Sequence, residues 1–183
     1  MNKQVLSATT LWLTGRPCAG KSTLAAALEQ ALEKRLPAGQ AGGVHVARLD
    51  GDDVRNKLNA DLGFTDKDRL ENLRRVAHVA QLFNENDSFV IATFVSPTNE
   101  MRRLVRGIIG NFKLCYVKCS AELCEKRDVK GMYKKARRGE IKDFTGVSAP
   151  FEEPNECEIV VDTGTHSVEH CVDEILRAIG VGA

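Results

Sequence analysis

The sequence predicts an α/β fold: a central parallel five-stranded sheet with helices on both faces. Two observations carry this expectation. Short apolar segments rich in β-branched residues recur at 9–14, 44–49, 89–95, 114–118 and 158–162, and stretches with helical periodicity separate them. A glycine-rich loop, GRPCAGKST at residues 15–23, follows the first of these segments and opens a helical one. A chain of 183 residues can bury a continuous core without disulfides or metal staples, so residues 1–183 are expected to form a single domain.

The N-terminal stretch MNKQVLSATTLWLTG carries one lysine and an apolar run too short for a signal peptide or a membrane span. It reads as the first strand, and a cytoplasmic protein is expected. Helices are expected at 21–35, roughly 52–59, 67–86, 99–109, 121–138 in broken form, and 167–179. The 67–86 helix is the best defined. Leu70, Leu73, Val76, Ala77, Ala80 and Phe83 recur at helical spacing, and Thr65 with Asp68 offers a capping-box start. PAGQAGG at 37–43 is too short to separate domains and reads as a helix-to-strand loop.

The formal net charge of +1 excludes a general nucleic-acid or membrane-surface binder, so any basic site must be local. The local excess lies at 126–142, KRDVKGMYKKARRGEIK, with eight basic residues against two acidic ones and with Gly131 and Gly139 as candidate hinges. The six cysteines form no CxxC pair, and Cys115, Cys119 and Cys124 have no histidine near them, so free thiols are expected rather than a zinc site.

Gly15-x-x-x-x-Gly20-Lys21-Ser22 matches the Walker A pattern in its required context, a strand before and a helix after, which specifies a P-loop NTPase fold. Its glycines let backbone N–H groups turn toward a phosphate, and the following helix points its positive end there. Lys21 is placed to neutralise β- and γ-phosphate charge, and Ser22 to supply an oxygen to Mg²⁺. ATP with Mg²⁺ is therefore the expected ligand, and the short chain with no NKxD-type guanine-reading motif favours a kinase of a small acceptor. The second strand ends in DGDDVR. Ligands gather at the carboxyl ends of strands in such sheets, so Asp50 and Asp52 should face the γ-phosphate. A carboxylate there can accept the proton of an attacking hydroxyl or hold the magnesium shell, and Arg55 can grip an anionic acceptor.

The phosphate loop, LDGDDVRNKLNADLGF at 49–64, DRLENLRRVAHVAQLF at 68–83, FVSP at 94–97 and RDVKGMYKKARRGEIKDFTG at 127–146 together resemble the adenylyl-sulfate kinase (APS kinase) family, over about residues 8–165. The resemblance implies transfer of the γ-phosphate of MgATP to the 3′-hydroxyl of adenosine 5′-phosphosulfate (APS). The site residues follow motif by motif. ATP is held by Gly15, Arg16, Pro17, Cys18, Ala19, Gly20, Lys21, Ser22 and Thr23, with Arg127 toward the ATP side. Asp52 lies near the attacking hydroxyl, Asp50 and Ser22 near the metal, and Arg55, Arg69 and Asn72 on the phosphosulfate and ribose. Phe64 and Phe144 sandwich the acceptor adenine, and Asp53, Val54, Val95, Ser96 and Asp143 belong to the same pocket. Ser96 stands where a phosphoserine intermediate has been described in the family, and direct in-line transfer is the competing route. Lys130 and its neighbours form a mobile lid, about 126–146, that neutralises charge and excludes water.

The resemblance further implies a homodimer and an association with ATP sulfurylase. Where the family usually has asparagine, tyrosine and glycine, this chain has Asp53, Thr98 and Asp143; Lys118 and Ser120 replace its usual aspartate and proline. These differences leave two alternatives open: a kinase for a related nucleotide acceptor, and a silent regulatory module that binds nucleotide.

Overall fold

Alternate residues of the first strand feed two different cores. Leu11 and Leu13 point to one face of the sheet and Trp12 to the other, all three fully buried, as the period of two along a strand requires. The computed structural model describes residues 8–36 and 45–181. The 37–43 loop, Val44 and the start of the N-terminal segment lie outside the described residues.

The elements run β1 (Thr10–Thr14), α1 (Lys21–Arg35), β2 (His45–Asp50), α2 (Gly51–Asn56), α3 (Asp66–Glu85), β3 (Ser88–Thr93), α4 (Asn99–Ile108), β4 (Phe112–Lys118), α5 (Ala121–Arg127), α6 (Met132–Arg137), β5 (Ile159–Asp162) and α7 (Val168–Ala178). The strands form one five-stranded sheet in the order β2-β3-β1-β4-β5, and every pairing is parallel. On one face, Leu24, Leu28 and Leu32 of α1 join Ile175 and Leu176 of α7 over Leu11, Leu13, Ile91 and Val117. On the other, Leu73, Val76, Ala77 and Ala80 of α3 join Met101 and Val105 of α4 over Trp12, Val90 and Leu114. The expected helices on both faces are present. Among the described residues no helix is long and apolar enough to cross a membrane.

Boundaries differ from the expectation where caps decide them. Thr65 accepts from the Asp68 N–H and starts α3 one residue early, and Asp50 caps α2, which ends at Asn56 instead of running to 59. The basic stretch breaks into α5 and α6 at Gly131, whose φ of 66° lies in the left-handed region that glycine enters without cost. Asp128 then takes over as cap, accepting from the N–H groups of Tyr133 (2.9 Å) and Lys134 (3.1 Å). Two replacements that looked foreign to the family are also caps: Thr98 accepts from Met101 N–H at the start of α4, and Ser120 from Leu123 N–H at the start of α5.

The strand order turns about β1, so the loops after β1, β2 and β3 converge at one edge of the sheet, the usual ligand edge of such folds. Gly15 marks the closest approach there: a Cβ added to it would stand 2.5 Å from the Val117 carbonyl oxygen. Gly15→Ala is therefore expected to push β1 from β4 and cost ~1–3 kcal/mol of stability, measured by urea denaturation. A variant as stable as the parent would show that the sheet edge yields freely.

Candidate active site

A cleft of about 1220 Å³ opens at that edge, larger than the ~300–1,000 Å³ usual for one small molecule. Its walls bring together residues far apart in sequence: Pro17, Cys18, Gly20 to Thr23, Asp50, Asp52, Asp53, Arg55, Phe64, Arg69, Asn72, Val95, Ser96, Arg127, Lys130, Asp143 and Phe144. Four of the expected residues are not among those that line the cleft. Gly15 and Ala19 are buried beneath the loop. Arg16 lays its guanidinium over the Phe151 ring at 5.1 Å. Val54 packs on the core cluster under α2 and is not among the residues that line the cleft.

The loop turns through Cys18 (φ 62°) and Gly20 (φ 92°), both left-handed, a conformation that places successive backbone groups around a concavity. α1 begins with no side-chain cap, which leaves its first N–H groups available at the cleft. Lys21 is buried and donates to the carbonyls of Gly15 (2.9 Å) and Arg16 (2.8 Å). Burial penalises its charged form and lowers its pKa to about 8.

Asp50 is the junction between elements. Its carboxylate accepts from Ser22 Oγ (2.7 Å), Thr93 Oγ1 (2.8 Å) and the Asp52 N–H (3.0 Å). Burial opposes its ionisation, but these donors outweigh burial and hold its pKa below the ordinary carboxylate range. Asp52, two residues on, is exposed and paired with Lys130 from the basic segment. That carboxylate raises the Lys130 pKa.

Elsewhere on the cleft wall, Arg55 donates to Gly63 O (2.8 Å) and covers the Phe64 ring at 4.4 Å. Its pKa is lowered, first by burial and then by the neighbouring Arg69 guanidinium; two cations held this close make a seat for an anion. Arg69 donates to Phe64 O (2.8 Å), to Thr145 Oγ1 (3.1 Å) and to the Asp143 carbonyl. Because the contact is to backbone, it survives the change from glycine, and Asp143 adopts the left-handed φ of 54° that a glycine would favour. Asn72 is buried, and its Oδ1 accepts from Asn59 Nδ2 at 3.0 Å. Phe64 is 61% exposed, whereas Phe144 meets the buried Tyr133 edge-on at 5.0 Å. Of the eight basic residues at 126–142, Arg127, Lys130 and Lys142 line the cleft, while Arg137 and Arg138 pair with Glu125 and Glu140.

Ser96 is 2% exposed with a φ of 41°. Its hydroxyl oxygen accepts from the Trp12 indole N–H at 2.9 Å, and its carbonyl accepts from Arg102 at 2.6 Å.

Several contributors escape sequence reasoning. Thr93 holds Asp50, and its only sequence signal is a hydroxyl at the end of an apolar strand. Thr163 accepts from Arg127 through both its carbonyl (2.6 Å) and its hydroxyl (3.3 Å), and donates to Ala19 O (2.8 Å). Tyr133 reaches from α6 to Pro17 O at 3.2 Å. No spacing rule announces these contacts.

A parallel sheet of this order, a complete phosphate loop and a carboxylate-bearing second strand define the P-loop kinase class. Within it, residues 7–162 match the adenylylsulphate kinase family, and this chain belongs to that family. It is 48% identical over 171 residues to the adenylyl-sulfate kinase of Bacillus licheniformis, covering 92% of this chain and 83% of that protein. Among solved structures, the Mycobacterium tuberculosis APS kinase in complex with AMPPNP and APS superposes with a TM-score of 0.85 at 36% identity, covering 93% of this chain and 96% of that one. The hexameric APS kinase from Thiobacillus denitrificans gives a TM-score of 0.70 at 29% identity, over 96% of this chain and 29% of that one.

The buried lysine sets a pH dependence. Between pH 8 and 10.5 the folded state binds fewer protons at Lys21 than the unfolded state does, so stability rises with pH in that window and the burial cost is fully present below it. Relative to a Lys21→Met variant, the parent should gain up to roughly 1.4 kcal/mol per pH unit across this range, read from denaturation curves. Parallel pH profiles would rule out the shift.

Proposed function

We propose that this chain, acting as one domain, transfers the γ-phosphate of ATP to the 3′-hydroxyl of adenosine 5′-phosphosulfate. The observation that carries the reading is that one cleft holds a complete phosphate loop and, across from it, the Arg55–Arg69 pair flanked by Phe64 and Phe144. An anionic group on an adenine nucleotide suits that second half, because the arginines match the anion and the aromatic faces match the base. The Mycobacterium tuberculosis relative was solved with AMPPNP and APS, which supports both ligand halves.

In this reading Lys21 exchanges its loop carbonyls for phosphate oxygens, and the N–H groups of the loop and of the first turn of α1 cradle the rest. Asp52 accepts the proton as the 3′-oxygen attacks phosphorus in line and the bond to the β-phosphate oxygen breaks, giving ADP and 3′-phosphoadenosine 5′-phosphosulfate. Ser22 Oγ and the Asp50 carboxylate are hard oxygen donors 2.7 Å apart, a fit for Mg²⁺ directly or through its waters. When bound there, Mg²⁺ would neutralise charge on the transferring phosphoryl group. The segment 126–146 covers the cleft as a lid, with Lys130 toward the reacting groups and Arg127 braced by Thr163. The cytoplasm, a homodimer and association with an ATP sulfurylase complete the proposal; oligomer formation has support in the hexameric Thiobacillus denitrificans relative.

The test is ADP formation with Mg²⁺ and APS, AMP, CDP or no acceptor, with the phosphate position of the product determined. Turnover with APS alone, giving a 3′-phosphate, is expected. APS at background, or no better than AMP, would overturn the reading.

The covalent route through Ser96 finds little support. Its oxygen is occupied by a donor, Trp12 N–H, and among the described residues no carboxylate or imidazole bonds its hydroxyl to take the proton. Asp52→Asn is expected to lower kcat by ~10²–10⁴ with ATP binding retained, whereas Ser96→Ala keeps most of the activity. A folded, ligand-binding Ser96→Ala protein with no turnover would reinstate the phosphoserine.

A further inference from the structure

The start of α7 carries a second cluster of ligating side chains, outside the catalytic set. His170 and Glu174 are four residues apart on one helix face, with Nε2 and Oε1 3.5 Å from each other. His166 precedes the helix N-cap, Ser167, and folds back so that its ring stacks on that of His170 at 4.4 Å. One ligand atom from each of His166, His170 and Glu174 lies within 4.8 Å of the others. Donors ~2.0–2.2 Å from one ion stand roughly 3.3–3.5 Å apart, and each imidazole lone pair lies in its ring plane, so closure needs about an ångström of movement and a turn of one ring out of the stack. These solvent-facing side chains can supply it by rotamer adjustment, since His170 is 49% and Glu174 34% exposed.

We propose that His166, His170 and Glu174 bind a divalent transition-metal ion of the Zn²⁺ class. Two imidazole nitrogens and one carboxylate oxygen suit Zn²⁺, Ni²⁺ or Cu²⁺, with water completing the shell. Mg²⁺ demands oxygen donors in octahedral geometry and does not compete for this set. The location matters because His166 also lines the nucleotide cleft, beside Thr163 and Val168. A bound ion therefore stands at the rim of the cleft and shares a residue with its wall.

The test is Zn²⁺ titration of the full chain without nucleotide, against a competing fluorescent zinc indicator. Performed this way, its result is independent of whether the kinase reading holds. One saturable equivalent is expected, weakened about tenfold or more by His166→Ala and by His170→Ala, and less by Glu174→Gln. Because His166 and His170 are exposed and Glu174 is only half-buried, the variants should melt with the parent, which a thermal scan checks. The six free thiols are the rival donors, and Co²⁺ distinguishes them: a thiolate-to-cobalt charge-transfer band would overturn the assignment, as would affinity unchanged in His170→Ala or no saturable binding.

Discussion

The arrangement of the active-site edge depends on the carboxylate of Asp50. It receives one donor from the first turn of α1, one from the end of β3 and one from the backbone of α2. Three elements that diverge elsewhere are thereby tied at the point where the phosphate loop meets the acceptor pocket. The donors keep the carboxylate ionised despite partial burial, and the ionised form is the one that caps α2 and orients Ser22. Asp52 inherits its position from this cap, so the group proposed to take the proton is aimed by the residue before the helix that carries it.

The fold was legible because its signals are local. Strand and helix periods, the Walker spacing and the Thr65 cap each sit within one window of sequence, and each has its counterpart in the structure. The site was legible only in part. Residues such as Asp52, Arg55 and Arg69 fall in long motifs, but their partners come from elsewhere in the chain: Thr93 lies 43 residues from Asp50, and Tyr133 lies 116 from Pro17. A hydroxyl at a strand end looks the same whether it faces water or a carboxylate. For the same reason Val54 was expected in the pocket and packs, partly buried, against the core, while Thr98 and Ser120 looked like departures and are helix caps.

Ser96 shows how a conspicuous residue can be structural. Trp12 fills the α3 face of the sheet and must place its indole N–H on an acceptor, since a buried donor without one costs about 1–3 kcal/mol. The Ser96 hydroxyl is that acceptor, and the left-handed turn that presents it is clamped by Arg102 through the Ser96 carbonyl. The strain thus has a counterpart in packing, and the loop after β3 is fixed against the acceptor pocket whether or not the hydroxyl ever reacts.

A site for two polyanions needs cations, yet uncompensated cations destabilise the protein that holds them. Here the cleft's main cations have protein partners that a phosphate or sulfate oxygen can replace. Lys21 rests on loop carbonyls, Arg55 on Gly63 O, Arg69 on Phe64 O and Asp143 O, Arg127 on Thr163 and Lys130 on Asp52. Ligand binding then exchanges one set of hydrogen bonds for a stronger, charge-assisted set, so the net gain per contact is smaller than the gross interaction. The exchange at Lys130 differs from the others because it frees a carboxylate instead of a carbonyl. In the proposed mechanism the ammonium occupies one oxygen of Asp52, and that oxygen becomes free to accept from a hydroxyl once the lysine turns to a phosphate. Neutralising the incoming charge and releasing the proton acceptor are then the same movement of one side chain.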